Sequence, residues 1–446
     1  MKKIVASVGL VALGASSINA VHGQDTMAPP PYKPWSISAS LRGFYDDNIN
    51  TAPDKVSSLG FQVNPGAGLD WHNDQSGVKL NYLYTLRYYD KKPLDNTSHL
   101  DQDHQFDASL DHAFNERYQI GFKDSFVVGQ EPEYLRSAYG PGGISEPQRI
   151  SGSNIRNDGL INFSAQLTPL FGLAAGYENA FYDYSDHATS VDPNFPFTVI
   201  PSTAGLLNRI EHTFHLDTRW QLTPQTIGIV GYQFFQANYT GNELIANGWR
   251  QVDPTTFAVI PQNSDSRDKR AHLFYVGAEH MFSPDLSGSL QVGIQDTDNY
   301  NSYDSSSSVS PYATASLKYN YAVESTAEVG FSYSRNASDQ LSPMVSNNRI
   351  SLTQDEESAV VYANLHHRFT PHFYTSVLAN FQNSTYNGGE FDGKSERIFL
   401  AGLDLQYRFN TFASVDLGYN YDRLESDVPG LHYDRNRVFL GLTAAY

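Results

Sequence analysis

Arg437-Val438-Phe439-Leu440-Gly441-Leu442-Thr443-Ala444-Ala445-Tyr446 closes the chain and decides how the rest is read. Val438, Leu440, Leu442, Ala444 and Tyr446 fall on one face at period two, and Arg437, Phe439 and Thr443 fall on the other. Terminal residues of soluble domains usually fray into water. An apolar face carried into the terminal carboxylate is therefore out of place in a soluble domain. It is in place in a strand that closes a β-barrel in lipid, where every backbone N–H and C=O needs a partner. There the lipid face must be apolar and the inner face need not be. The rest of the chain should then be built in the same way.

Strict alternation recurs along the chain and predicts about eighteen strands, with sixteen as the lower bound. In 412–423, Ala413, Val415, Leu417, Tyr419 and Tyr421 oppose Ser414, Asp416, Gly418, Asn420 and Asp422. In 78–88, Val78, Leu80, Tyr82, Tyr84, Leu86 and Tyr88 oppose Lys79, Asn81, Leu83, Thr85 and Arg87. In 399–409, Phe399, Ala401, Leu403, Leu405, Tyr407 and Phe409 oppose Leu400, Gly402, Asp404, Gln406 and Arg408. Strands near 118–128, 173–184, 227–238 and 270–282 alternate less cleanly.

The connections alternate between short and long. Short ones are expected near 73–77, 114–117, 168–172, 222–226, 282–286, 322–325, 369–373 and 409–412. Long ones are expected near 47–57, 90–102, 130–157, 185–207, 240–268, 297–309, 336–356, 385–395 and 424–434. The short ones share a repeat: Leu167-Thr168-Pro169, Leu222-Thr223-Pro224, Phe282-Ser283-Pro284 and Phe369-Thr370-Pro371, with Phe114-Asn115-Glu116 and Phe409-Asn410-Thr411 as variants. Proline presets φ for a turn and cannot continue a ladder, and the preceding Phe or Leu suits a girdle at one membrane interface. Only every second connection carries this chemistry, which ordinary hairpins of a soluble protein would not require. The fold expected is all-β, a transmembrane antiparallel up-and-down barrel over residues 35–446. Short turns would be periplasmic, with both termini, and long loops extracellular.

The N-terminus fits that destination. Met1-Lys2-Lys3, an apolar run from Ile4 to about Ala15 and small residues to Gly23 describe a secretory signal peptide. Cleavage after Ala20 and after Gly23 are both compatible with it. Residues 24–34, with Pro29-Pro30-Pro31, read as an extended periplasmic linker. The charge of −18 becomes about −20 without Lys2 and Lys3, which disfavours nucleic acid. The chain has no cysteine, so disulfides and thiol chemistry are excluded. A mean hydropathy of −0.43 does not speak against a barrel, because alternation averages the signal away.

Arg42-Gly43-Phe44-Tyr45-Asp46-Asp47-Asn48-Ile49, the long alternating strands and the terminal aromatic resemble the outer-membrane porins of the β-barrel porin 2 type. That resemblance implies a barrel with a transport role, and an association with exopolysaccharide. The last strand also resembles the signal by which the barrel-assembly machinery recognises its clients, with Phe439, Leu442 and Tyr446 at the recognised positions.

If one face meets lipid, the other meets the lumen. Candidate pore-lining residues are Arg42, Asp70, Lys79, Arg87, Asp107, Asp111, Glu178, Asp217, Arg219, Glu328, Arg368, Asp404, Arg408 and Asp416. The same register turns Asp46, Glu211, Glu279, Lys318, Asp422 and Arg437 inward. Any one of them is expected to pair across strands; together they imply a hydrated interior with a mild acidic excess. Acidic rings favour cations. No catalytic pattern appears, and the adjacent His366 and His367 point to opposite faces of a strand. No metal or cofactor is expected, because the Asp46-Asp47-Asn48 and Asp296-Thr297-Asp298-Asn299 segments lack the Gly and final Glu of a calcium loop. They suit solvated loops or divalent-bridged lipopolysaccharide instead. The function expected is a passive channel for hydrophilic solutes or an extruded polysaccharide, with the loops at 130–157 and 240–268 as candidates to fold inward. The alternative is a plugged barrel acting as a structural or adhesive surface protein.

Overall fold

A computed structural model describes residues 33–92, 98–130, 152–191, 199–253, 256–303, 306–338, 343–346 and 349–446. The signal segment, most of the linker and Gly140-Pro141-Gly142-Gly143 lie outside the described residues.

One sheet of 18 strands carries the fold. In chain order these are β1 (Trp35–Asp46), β2 (Ser58–His72), β3 (Ser76–Tyr89), β4 (Leu100–Ala113), β5 (Tyr118–Gly129) and β6 (Asn154–Thr168). Then come β7 (Phe171–Tyr184), β8 (Arg209–Thr223), β9 (Thr226–Tyr239), β10 (Lys269–Ser283), β11 (Leu286–Asn299) and β12 (Ser306–Ala322). The last are β13 (Ser325–Ala337), β14 (Asp355–Arg368), β15 (Phe373–Asn387), β16 (Ser395–Arg408), β17 (Ala413–Ser426) and β18 (Tyr433–Ala445). Each pairs antiparallel with its chain neighbours, and β1 pairs with β18 from Ser38↔Ala445 to Asp46↔Arg437. The up-and-down barrel is closed, which leaves no edge strand.

The predicted short turns all occur where the alternation places them. Their shared chemistry is an oxygen more than a proline. Asn73, Asn115, Thr168, Thr223, Ser283, Thr370 and Asn410 each accept a backbone N–H from two residues further on. This is the Asx- or ST-turn. The turn at Val323-Glu324 differs: Glu324 takes φ 52, and no oxygen of this kind precedes it.

Two differences from the sequence reading stand out. First, β11 reaches Asn299 and β12 begins at Ser306, so the loop expected over 297–309 is shorter. Asp298↔Ser307 and Asn299↔Ser306 pair as strand, but have no apolar face to advertise it. Second, long loops carry hairpins of their own: Leu244–Asp253 pairs with Thr256–Asn263, and Pro343–Ser346 with Arg349–Leu352.

One ladder is short. β12 pairs with β11 up to Ser306, but with β13 only up to Ala313↔Tyr333. Pro311 occupies the next rung on the β13 side and has no N–H to give. Gln295 spans the gap, donating to the Arg335 carbonyl at 2.8 Å.

Candidate functional site

Alternation divides every strand into two faces of opposite character. Outward residues are apolar or aromatic from the short turns upward, as in Phe282, Val276 and Phe274 of β10 or Leu290, Val292 and Ile294 of β11, all exposed. Above them the outward residues turn polar: His272 and Arg270, Asp296 and Asp298, Arg397, Arg423. Nine residues at about 3.3 Å rise and a tilt near 40° span about 20–25 Å, the height of an outer-membrane apolar band. Tyr82, Tyr177 and Tyr232 send their hydroxyls to His104, His212 and His272 on the neighbouring strand, at 2.8–2.9 Å. At the turn side, His112, His280 and His367 stand edge-on to Phe114, Phe282 and Phe369, with centroids 4.3–4.7 Å apart.

The inner wall is polar, and all the candidate pore-lining residues lie on it. They ring the barrel from β1 to β17 and form no single site. Some meet. Lys79 and Asp70 pair at 3.3 Å near the short turns, and the lysine is 60% exposed. Higher up, Arg87 pairs with Asp103 at 2.6 Å and is only 5% exposed. Asp107 accepts from Ser125 at 2.7 Å and from Gln105. Asp111 lies against Gly121 of β5. Glu178 shares a row with Leu160 and Lys123. Arg219 pairs with Glu279, and Asp217 accepts from the Tyr275 hydroxyl. Glu328 accepts from Tyr362 at 3.1 Å. Arg368 meets Glu324 at 2.8 Å, and Arg408 lies 4.0 Å over the Tyr374 ring and donates to Gln406. Asp404 faces inward opposite Gly418. His366 and His367 do part, toward Ser376 inside and Tyr321 outside.

Arg42 and Asp416 form a pair that alternation alone could not show. They stand on β1 and β17, with β18 between them, in one row through Gly441. The Arg42 Nε donates to Asp416 Oδ2 at 2.9 Å across that glycine, and both side chains are buried. A Cβ at Gly441 would sit 2.6 Å from Asp416 Oδ1 and 2.7 Å from Arg42 Cγ. Glycine also seats inward aromatics. Phe44 lies over Gly60, Tyr275 over Gly231, Tyr362 over Gly330 and Phe439 over Gly418, each the register partner on the next strand. Arg42 in turn covers the Phe439 ring at 4.4 Å. An inward glycine facing an inward aromatic is the signal that could have found these joints, once register was known.

The Asp46-Asp47-Asn48 segment clasps the first strand to the last. Arg435 donates to both oxygens of Asp46, at 3.1 and 2.9 Å, and Arg437 lies 3.4 Å away. Asp47 accepts from the backbone and side chain of Asn436, and Asn48 donates to the Asp434 carbonyl at 2.9 Å. Burial works against the Asp47 charge, but these donors and Lys55 hold its carboxyl below the usual range. Asp296 and Asp298 stand on the outward face, where Asp298 pairs with Arg270. Among the described residues no group of three or more His, Cys, Asp or Glu could hold a metal.

At the loop end the wall is covered. Tyr182, Tyr184 and Tyr386 are fully buried there, as is Arg267, which follows the 244–263 hairpin. Arg267 donates to the Leu206 carbonyl at 2.5 Å and to that of Ser338, and lies 4.7 Å over Tyr239. Gln354 ties in Ser266 and Ser302. The four loops that follow β7, β9, β11 and β13 are thus bound together over one sector of the mouth. At the terminal end, Tyr446 exchanges backbone hydrogen bonds with Ile37 and stacks on Phe412, on the same side as the short turns.

Residues 358–446 match the family model described as "Putative beta-barrel porin 2". Over that segment the chain is similar to porins. The match takes in the terminal strand and leaves out residues 42–49, so the resemblance is carried by the C-terminal strands. It spans about a fifth of the chain. No curated protein matches. Among solved structures, Acinetobacter baumannii OccAB4 is 12% identical, with 94% of this chain and 100% of that one aligned at a TM-score of 0.43. Pseudomonas aeruginosa OccK9 (OpdG) is 11% identical over 92% and 98%, at 0.42. The outer membrane protein opdK of the same organism is 12% identical over 92% and 99%, at 0.42.

Proposed function

We propose that the chain is an outer-membrane channel for passive passage of small hydrophilic solutes, with short turns and termini toward the periplasm. One observation carries this reading: every strand sets an apolar, exposed face against a charged or hydrogen-bonded one, all the way round a closed barrel. Charge on the outer face at mid-depth would cost several kcal/mol, of order 2–4 for a basic residue. On the inner face it keeps the lumen wet. Eighteen strands leave room for an aqueous passage. Lumen groups such as Lys79 and Asp70 replace part of a solute's hydration, and charged rings set its preferred sign. The acidic excess favours cations. The test is conductance in planar bilayers: channels with a cation-selective reversal potential are expected, and correctly folded protein that never opens would overturn the reading.

The covered sector of the mouth favours restriction at the loop end, which is where the plugged alternative would act. Arg267→Ala should then raise the open probability without changing the selectivity sign. Block of the current by oligosaccharides, and its absence with small ions alone, would extend the solute class to polysaccharide. Lipopolysaccharide would meet the polar outward row that includes Arg270, Asp298 and Arg397, and the assembly machinery would meet β18 through Leu442 and Tyr446.

A further inference from the structure

At one place the barrel wall overlaps itself. The ladder between β12 and β13 ends at Ala313↔Tyr333, although β12 extends toward the loops as far as Ser306 and β13 as far as Ala337. Arg335 and Asp355 belong by register to the outward faces of β13 and β14, in line with the exposed Phe331 and Val361. Asp355 is nevertheless buried, and it meets Asn299 at 3.1 Å and Lys269 at 3.5 Å. Those two stand on the inward faces of β11 and β10, in line with Gln295 and Leu273. An outward face therefore lies against an inward one. Above Pro311 the tops of β13 and β14 are tucked behind those of β10, β11 and β12.

Side chains rather than backbone rungs hold this seam. Gln295 donates to the Arg335 carbonyl at 2.8 Å, and Asn299 donates to Asp355. The packing leaves oxygens over: Gln295 Oε1, Asn299 Oδ1, Ser308 Oγ and Ser310 Oγ are buried with no hydrogen-bond partner among the described residues. Orphaned groups of this kind weigh against the closed arrangement. Each would find a partner if β12 swung outward. Beside the seam the inner wall is apolar, where Leu273, the register partner of Gln295, packs with Ile229, Tyr275 and Tyr312. Outside, apolar surface climbs both flanks of the break, to Phe331 on β13 and Val309 on β12.

We propose that this seam is a lateral port, through which an amphiphile with a hydroxylated head and a single alkyl chain passes between the lumen and the outer leaflet. This rests on the outer-membrane reading above. The break begins where the apolar band ends: Ile294, the register partner of Pro311, is the last apolar outward residue of β11, and Asp296 follows it. An opening at that height faces the lipid headgroups. The head bonds to the oxygens of Gln295, Asn299, Ser308 and Ser310, and the chain lies along the Leu273 cluster. The moving strand is β12, whose ladder above Ala313 is with β11 alone.

The chain has no cysteine, so single thiols report access without background. Leu273→Cys places one beside the seam, Leu160→Cys one in the inner wall of β6, and Val292→Cys one on the outward face of β11. Each variant is reacted in lipid vesicles with N-dodecylmaleimide, which stays in the bilayer, and with a sulfonated maleimide, which stays in water. Products are weighed by mass spectrometry. Leu273→Cys should take the dodecyl reagent several-fold faster than Leu160→Cys does, and several-fold faster than it takes the sulfonated one. Adding Pro311→Val restores an N–H on the β13 side and should slow that reaction several-fold. Adding Gln295→Ala removes a bond across the seam and should quicken it. A monoacylglycerol in the bilayer should compete, and an alkane of the same chain length should not. Equal rates at Leu273→Cys and Leu160→Cys, equal rates with the two reagents, indifference to Pro311→Val and Gln295→Ala, or equal competition by the alkane would overturn the proposal. If the dodecyl reagent does not reach Val292→Cys, the membrane reading fails, whereas reaction there without reaction at Leu273→Cys strikes only the port.

Discussion

Gly441→Ala should destabilise the barrel although it adds only a methyl group. In an ordinary strand position the change would help by about 0.5–1 kcal/mol, because alanine restricts the unfolded chain. Gly441 is not ordinary. The new Cβ would come within 2.6 Å of Asp416 Oδ1 and 2.7 Å of Arg42 Cγ. Both belong to backbone-anchored side chains already packed together, so neither can give way by rotating a free end. Overpacking of this kind costs about 1–3 kcal/mol. Prising apart a buried pair adds to that, toward the roughly 3–5 kcal/mol seen when one partner is lost outright. Net of the entropy gain, a loss of about 2–4 kcal/mol is expected. The assay is reversible denaturant unfolding in lipid vesicles, followed by tryptophan fluorescence. A second arm isolates the cause. In an Arg42→Ala, Asp416→Ala background the row is cleared, and Gly441→Ala should be neutral or stabilising. If Gly441→Ala in the wild-type chain lies within about 0.5 kcal/mol of zero, the cross-strand pair is not what that glycine is for.

Other expectations can be checked in the same preparation. Asp46→Asn leaves Arg435 and Arg437 without their shared carboxylate and should cost about 3 kcal/mol, read from the same unfolding curve. Thr370→Ala removes the acceptor for the N–H groups of His372 and Phe373, at 3.3 and 3.0 Å, and should cost about 0.5–1.5 kcal/mol. Asp186 accepts from the N–H groups of Ala188 and Thr203, which hold its carboxyl below the usual range. A lowered folded value means that its contribution is present above the ordinary carboxylate range and is lost as pH falls through the lowered value. Amide exchange at Ala188 and Thr203 should therefore stay slow down to that range and quicken below it, and Asp186→Asn should be fast throughout.

Barrel architecture and turn positions were legible because both follow from local rules. Period-two alternation reports the two faces, as in Leu417 against Asp416, and Thr-Pro or Asn reports a turn. The tops of β11 and β12 were not legible, because Asp298 and Ser307 pair as strand with polar residues on both faces. Neither was any contact that depends on register across strands. Asp46 and Arg435 are separated by 389 positions, and nothing local to either announces the other. Gly441 alternates correctly as an inward residue, but its reason for being glycine lies on β1 and β17. The same limit hid Arg267, whose partners are carbonyl oxygens and leave no mark in composition. Asp124 is the opposite case. Alternation puts it outward between Phe122 and Phe126, below the upper polar row, where no other described residue carries a charge.

The clasp between the first strand and the last also bears on how the barrel is made. Until β18 is in place, the nascent sheet is open and β1 is one of its free margins. Free margins invite stray strands. On β1 that margin carries Arg42 and Asp46 pointing inward, and their complements are Asp416 on β17 and Arg435 and Arg437 on β18. A foreign strand, or β18 slipped by one residue, would strand both charges without a counter-ion. The residues that hold the finished ring therefore also act as a lock on its assembly, opened only by the correct final stave in the correct frame.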